Sequence, residues 1–120
     1  MIDQVHLREY ALMKPGVWED TPFGPNNIVF KVSKKMFALL PIDTGVCEII
    51  LKATPDNVAM YLENYEQIGH APYFSKVHWF NIVIDSSFSI NFINGIIDES
   101  YNLVYNKLTK LERAEIDLRE

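Results

Sequence analysis

TPFGPNNIVFKVSKKMFALLP, residues 21–41, holds the periodicity on which the fold turns. Pro22, Gly24 and Pro25 open it, and residues 26–40 contain neither proline nor glycine. Within that run NIVFKV alternates, with Ile28, Phe30 and Val32 on one face and Val29 and Lys31 on the other, the two-residue period of a strand. SKK makes a tight connection and MFALLP returns as the next strand. Beyond it, IDTG supplies a turn with Gly45 free to adopt positive φ. VCEIILKA then alternates again, placing Cys47, Ile49, Leu51 and Ala53 on one face and Val46, Glu48, Ile50 and Lys52 on the other. These segments predict an antiparallel meander. The opening PFGPNN reads as a rigid entrance to it, because one glycine and two donor-less prolines cannot form a phosphate cradle.

Outward from the meander the period changes to that of helices. Asp3 predicts a cap for a helix over about residues 4–13, with Val5, Leu12 and Met13 as inward candidates. KPG at 14–16 ends it, and VWEDTPF is extended. Thr54, Pro55 and Asp56 have the order of a helix start, and Val58, Tyr61, Leu62 and Tyr65 form one apolar stripe behind them. Gly69 and Pro72 mark a loop, and KVHWFNIVID is a further strand apolar enough to lie centrally. Ser89 caps a long helix in which Ile90, Ile93, Ile97, Tyr101, Val104 and Leu108 recur. Thr109 and Glu112 make a T-x-x-E capping box, so a final helix is expected at about 110–118. The sum is a single α+β domain, residues 1–120: an antiparallel sheet of about five strands with helices packed on one face.

Composition limits the function. The chain of 120 residues carries a net charge of −5, which argues against strong non-specific nucleic-acid binding, since that affinity comes from cations on phosphates. The charge is uneven. Residues 1–55 balance six acids with six bases, while residues 56–120 carry ten acids and five bases, leaving room for a local basic face. No apolar run is long enough to cross a bilayer, so no membrane partner is expected. MIDQVHLREY has no basic region followed by an apolar block, and no signal peptide is expected. A single Cys47 forbids an internal disulfide and fits a reducing compartment, so the expected location is cytoplasmic.

Chemistry is sparse. His6, His70 and His78 have no i, i+4 partner and no cysteine spacing, so no metal or cofactor is expected. Cys47 lies on the inward face of its strand, where it acts as a small hydrophobe. There is no G-x-S-x-G elbow, and Glu19 and Asp20 point to opposite faces of an extended segment; the expectation is a non-enzyme. The lysines are what is left. Lys31 and Lys52 project outward, Lys34 and Lys35 sit at the hairpin tip, and Lys76 precedes His78 and Trp79. Such a hairpin can follow a phosphate backbone, although charge on a solvated face and lysine at a sheet edge also serve only to block aggregation.

LMKPGVWEDTPFGPNNIVFKVSKKMFALL, LKATPD, SKVHWFNIVID and DESYNLVYNKL resemble, in order, the motifs of the MmcQ/YjbR family of small bacterial proteins. The resemblance runs from about residue 10 to 113. It implies a CyaY-like, double-wing α+β fold and a DNA-binding role attached to the family by structural analogy. The positions matching that role are Lys31, Lys34, Lys35, Lys52 and Lys76, with His78 and Trp79 as base or sugar contacts. Against it stand Asp98, Glu99, Glu112, Glu115, Asp117 and Glu120, which repel phosphate unless they lie on the far side. The acidic ridge of frataxin-type proteins is thin here, with only Asp3, Glu9, Glu19 and Asp20, too few convergent oxygens for iron. Two alternatives to DNA remain at this stage. One is a protein-interaction module whose apolar patch is Val29, Val46 and Ile50; the other is a small-ligand cleft near Trp18, Phe23, His78 and Trp79.

Overall fold

The structure, a computed structural model, describes residues 2–119; Glu120, one of the acids named above, lies outside the described residues. The element order is α1 (Gln4–Leu12), β1 (Val17–Asp20), β2 (Asn27–Val32), β3 (Lys35–Pro41), β4 (Glu48–Lys52), α2 (Pro55–Asn64), β5 (Ile68–Gly69), β6 (Trp79–Val83), α3 (Ile90–Tyr105) and α4 (Lys110–Arg119). The six strands form one antiparallel sheet in the order β1-β2-β3-β4-β6-β5. The expected α+β architecture therefore stands, with the two-residue β5 added at one edge.

The alternation read from the sequence sorts the sheet's two faces. Phe30, Val32, Phe37, Leu40, Ile49, Leu51, Phe80 and Ile82 are buried beneath the helices. The principal helix, α3, lies across β2, β3 and β4 and contributes Ile93, Ile97, Tyr101 and Val104 to that core. Helix starts are as the capping residues dictate. The side chains of Asp3, Thr54 and Ser89 accept from the backbone N–H of His6, Asn57 and Phe92. Thr109 and Glu112 bond each other's backbone N–H at 3.0 and 3.1 Å, completing the capping box of α4.

Three expectations are corrected. Helix α1 buries Leu7 and Ala11, while the expected inward residues Val5, Leu12 and Met13 are all exposed. Its rotation follows polar contacts that hydrophobic periodicity does not register. The Tyr10 hydroxyl donates to Asp98 at 2.8 Å, His6 Nε2 lies 2.8 Å from Asn94 Oδ1, Lys14 pairs with Asp98, and Arg8 pairs with Glu19. Second, β6 begins at Trp79; Lys76, Val77 and His78 form an exposed turn before it. Third, Val29 and Ile50 are not an exposed patch. The segment after β5 folds back over them, and Val29, Leu39, Ile50 and Ala71 make a second small core flanked by Met36, Phe74 and Trp79. Val46 alone of that proposed patch is exposed.

A bulge shapes the middle of the sheet. Phe30 faces Ala38 and Lys31 faces Met36, which leaves Phe37 as an extra residue on β3. The buried Ser100 hydroxyl from α3 sits at this irregularity: it donates to the Phe37 carbonyl at 2.5 Å and accepts from the Lys52 N–H at 2.8 Å. A helix side chain thus satisfies two backbone groups of β3 and β4 that do not satisfy each other.

Candidate nucleic-acid interface

On the face away from the helices, residues of successive strands fall into rows. One row begins with Trp18 opposite Lys31 and ends with Lys52 opposite Trp79. The next is Asp20, Val29, Leu39, Ile50, Asn81 and Gly69, paired strand by strand across the whole sheet. Of the predicted lysines, Lys31 and Lys52 belong to the first row and Lys34 and Lys35 to the hairpin beside it, and the structure treats them unequally.

Lys31 is neutralised. Its Nζ lies 2.8 Å from Asp20 and 5.2 Å from the centre of the Trp18 ring, and the Asp20 carboxyl is held below its ordinary pKa chiefly by that bond. Lys52 is not. Its ammonium lies 5.9 Å from the Trp79 ring centre and has no carboxylate partner among the described residues. Its pKa is lowered first by burial, then by the like charges of Lys107 and Lys35. Lys35 and Lys107 therefore bear on Lys52 electrostatically, and Lys35 bears in turn on Glu112. Lys34 is exposed in the turn next to Lys35.

The turn itself is held from two sides. Ser33 takes positive φ, 56°, and a two-residue turn joins Val32 to its partner Lys35. Trp18 Nε1 donates to the Ser33 carbonyl at 2.8 Å, and the Ser33 hydroxyl donates to Glu112 at 2.6 Å. These contacts hold a non-glycine residue in a conformation that favours glycine. They also fix where Lys34 and Lys35 emerge.

Lys76 and His78 are exposed in the turn before β6. Trp79 is half-buried, packed at 5.0 Å against Phe74. Of the seven predicted residues, Lys35, Lys52 and Trp79 are brought together, with Lys34 adjacent. Lys107 was missed by sequence reasoning, because it follows α3 and no strand period marks it; only the tertiary structure lets its charge act on Lys52.

Asp98 and Glu99 are engaged among the helices, whereas Glu112 and Glu115 lie beside the hairpin, lining a cleft with Ser33 and Lys34. Asp98 serves Tyr10 and Lys14, and Glu99 accepts from Asn57 at 2.7 Å and from the Tyr61 hydroxyl at 2.7 Å, both in the helical layer. Cys47 is partly buried against the core, and burial raises its thiol pKa, which lowers its reactivity. Among the described residues no three His, Cys, Asp or Glu side chains gather as metal ligands. Among the described residues no helix is long and apolar enough to cross a membrane.

An open antiparallel sheet of six strands with four helices and a lysine-bearing hairpin defines the class: a small α+β domain. The YjbR family model matches residues 12–103, and the chain belongs to that family. It is 30% identical over 109 residues to the uncharacterized protein YbdF of Escherichia coli O157:H7, covering 91% of this chain and 89% of that one. Among solved structures it is similar to Deinococcus radiodurans protein DR2400, a DUF419 domain. The TM-score there is 0.87 and the identity 27%, covering 98% of this chain and 89% of the other. A Pseudomonas syringae protein matches with a TM-score of 0.72 and 26% identity, over 85% of this chain and 98% of its own.

Proposed function

We propose that this chain is a non-enzymatic, cytoplasmic protein that binds nucleic acid weakly through the phosphate backbone, using Lys35, Lys52 and Lys107 with Lys34 beside them. The observation that supports this reading is the uncompensated charge of Lys52. In a protein of net charge −5, the half-buried Lys52 feels the like charges of two further lysines and, among the described residues, pairs with no carboxylate. Like charges that act on one another cost stability, and an anion would relieve that cost. The half-buried Trp79 ring next to Lys52 offers a surface on which a sugar or an unpaired base can rest. Lys76 and His78 are outlying contacts in this scheme, and Lys31 contributes little while Asp20 holds it.

Fluorescence anisotropy of a labelled duplex, titrated at several salt concentrations, tests the reading. Three phosphate contacts predict that log K falls with log salt with a slope of about −3, at dissociation constants of about 10⁻⁴–10⁻⁶ M. Charge reversal at Lys35, Lys52 and Lys107 should abolish binding, and Lys31→Glu should matter far less. Asp20→Asn frees Lys31 and should steepen the salt slope by about one. No binding at low salt, or binding indifferent to salt and to the triple reversal, would refute the proposal. The protein-interaction alternative loses its main support, since Val29 and Ile50 are covered from within the chain.

A further inference from the structure

The outer sheet face carries a second feature that the lysine row does not use. A cavity of about 700 Å³ opens where the segment after β5 arches over β3, β4 and β6. That volume lies within the range of small-molecule sites. Its floor is apolar, built from Leu39 and Ile50 with Phe74 closing one side. Among its lining residues Glu48 is the only acid, and none is a lysine or arginine.

Two acceptors stand among that apolar surface. Glu48 accepts a single side-chain bond, from Thr44 at 3.0 Å, and so keeps lone pairs free. Asn81 lies directly opposite Ile50, and its Oδ1 is buried with no hydrogen-bond partner, the sole such side-chain atom among the described residues. A buried acceptor left unpaired in a strand is a feature that folding alone does not favour. At the mouth stand two aromatic rings. Phe23 is 59% exposed, and Tyr73 is fully exposed on a backbone with φ of 69°. A tyrosine held in the left-handed region with its ring in solvent gains no internal packing in return for the strain.

We propose that this cavity binds a small planar organic cation, an amidinium or protonated amine on an aromatic body. The flat apolar floor takes the ring, the Glu48 carboxylate accepts the N–H donors, and the faces of Phe23 and Tyr73 favour a cation over an anion. The site differs in sign from the lysine group one row away, so the two proposals stand or fall separately.

Benzamidine is the probe, with benzoate as its counterpart of the same shape and opposite charge. Each is titrated into the full chain while backbone amide signals are followed by NMR. Benzamidine should move Leu39, Ile50, Tyr73 and Asn81 saturably in the millimolar range or tighter, with benzoate weaker by about tenfold or more. Glu48→Gln, on an edge of the cavity where it disturbs no core packing, should weaken benzamidine by about fivefold or more. Asn81→Asp, of equal size, should tighten it. The proposal is overturned if benzamidine gives no saturable shift, if benzoate binds as well, or if Glu48→Gln leaves benzamidine affinity unchanged.

Discussion

Ser100→Ala removes one oxygen atom and tests how the sheet is held open at its bulge. The hydroxyl now bonds the Phe37 carbonyl at 2.5 Å and the Lys52 N–H at 2.8 Å, and Ser100 is fully buried. Alanine keeps the packing volume nearly unchanged, so the loss comes from two backbone groups deprived of a partner away from water. Each such group costs about 1–3 kcal/mol, and partial relaxation brings the expected total to about 2–4 kcal/mol. With a urea m-value of about 2 kcal/mol/M, the unfolding midpoint should fall by about 1–2 M. Tryptophan fluorescence reports it through Trp18 and Trp79. Native-state hydrogen exchange adds a local reading, because the Lys52 amide should lose protection more than its neighbours in β4. A midpoint shift below about 0.5 M with Lys52 protection intact would refute the reasoning. It would mean that β3 and β4 close and pair directly once the hydroxyl is gone. The substitution also bears on the candidate interface, since Ser100 anchors the backbone from which the Lys52 ammonium reaches Trp79.

Two further outcomes follow from local geometry and charge. Gly16 has φ of +74°, and a Cβ there would lie 2.9 Å from Ile116 Cγ1 of α4, so Gly16→Ala should cost about 1–3 kcal/mol, read as a lower urea midpoint. An unchanged midpoint would show that α4 shifts freely on the rest of the fold. At alkaline pH the tyrosines should limit stability. Burial, the Glu99 bond and the Glu99 charge push the Tyr61 pKa well up, and burial followed by the Asp98 bond takes Tyr10 to about 12. Groups with raised pKa give stability that is whole below the ordinary tyrosine value of about 10 and lost as pH climbs through the folded value. Urea midpoints measured up to pH 11 should therefore decline above pH 10, and less steeply in Tyr61→Phe than in the parent. Identical slopes in the two proteins would contradict this assignment.

How much of this was legible beforehand depends on the range of the interaction. The meander was readable because Ile28, Phe30 and Val32, then Ile49 and Leu51, announce their face by their own spacing. The caps at Asp3, Thr54, Ser89 and Thr109 were readable because an N-cap bond spans only three residues. The rotation of α1 was not, since Leu7 and Ala11 face inward on account of Tyr10, His6, Arg8 and Lys14 finding partners in α3 and β1. Nor could alternation tell that the outer face is half-covered. It placed Val29 and Ile50 outward correctly, but whether that side meets water depends on Ala71 and Phe74 folding back over it.

The candidate site divides along the same line. The sequence by itself determined which strand positions face away from the helices, and hence that Lys31 and Lys52 share a side, because side-chain direction in a strand follows from backbone geometry. Only the tertiary structure decided which of those charges is free. Asp20 reaches Lys31 across the β1–β2 pair, Lys107 bears on Lys52 through space, and the buried Asn81 Oδ1 has no hydrogen-bond partner. Charge and hydrogen bonding act through space between residues far apart in the chain, and no period along the sequence encodes those distances.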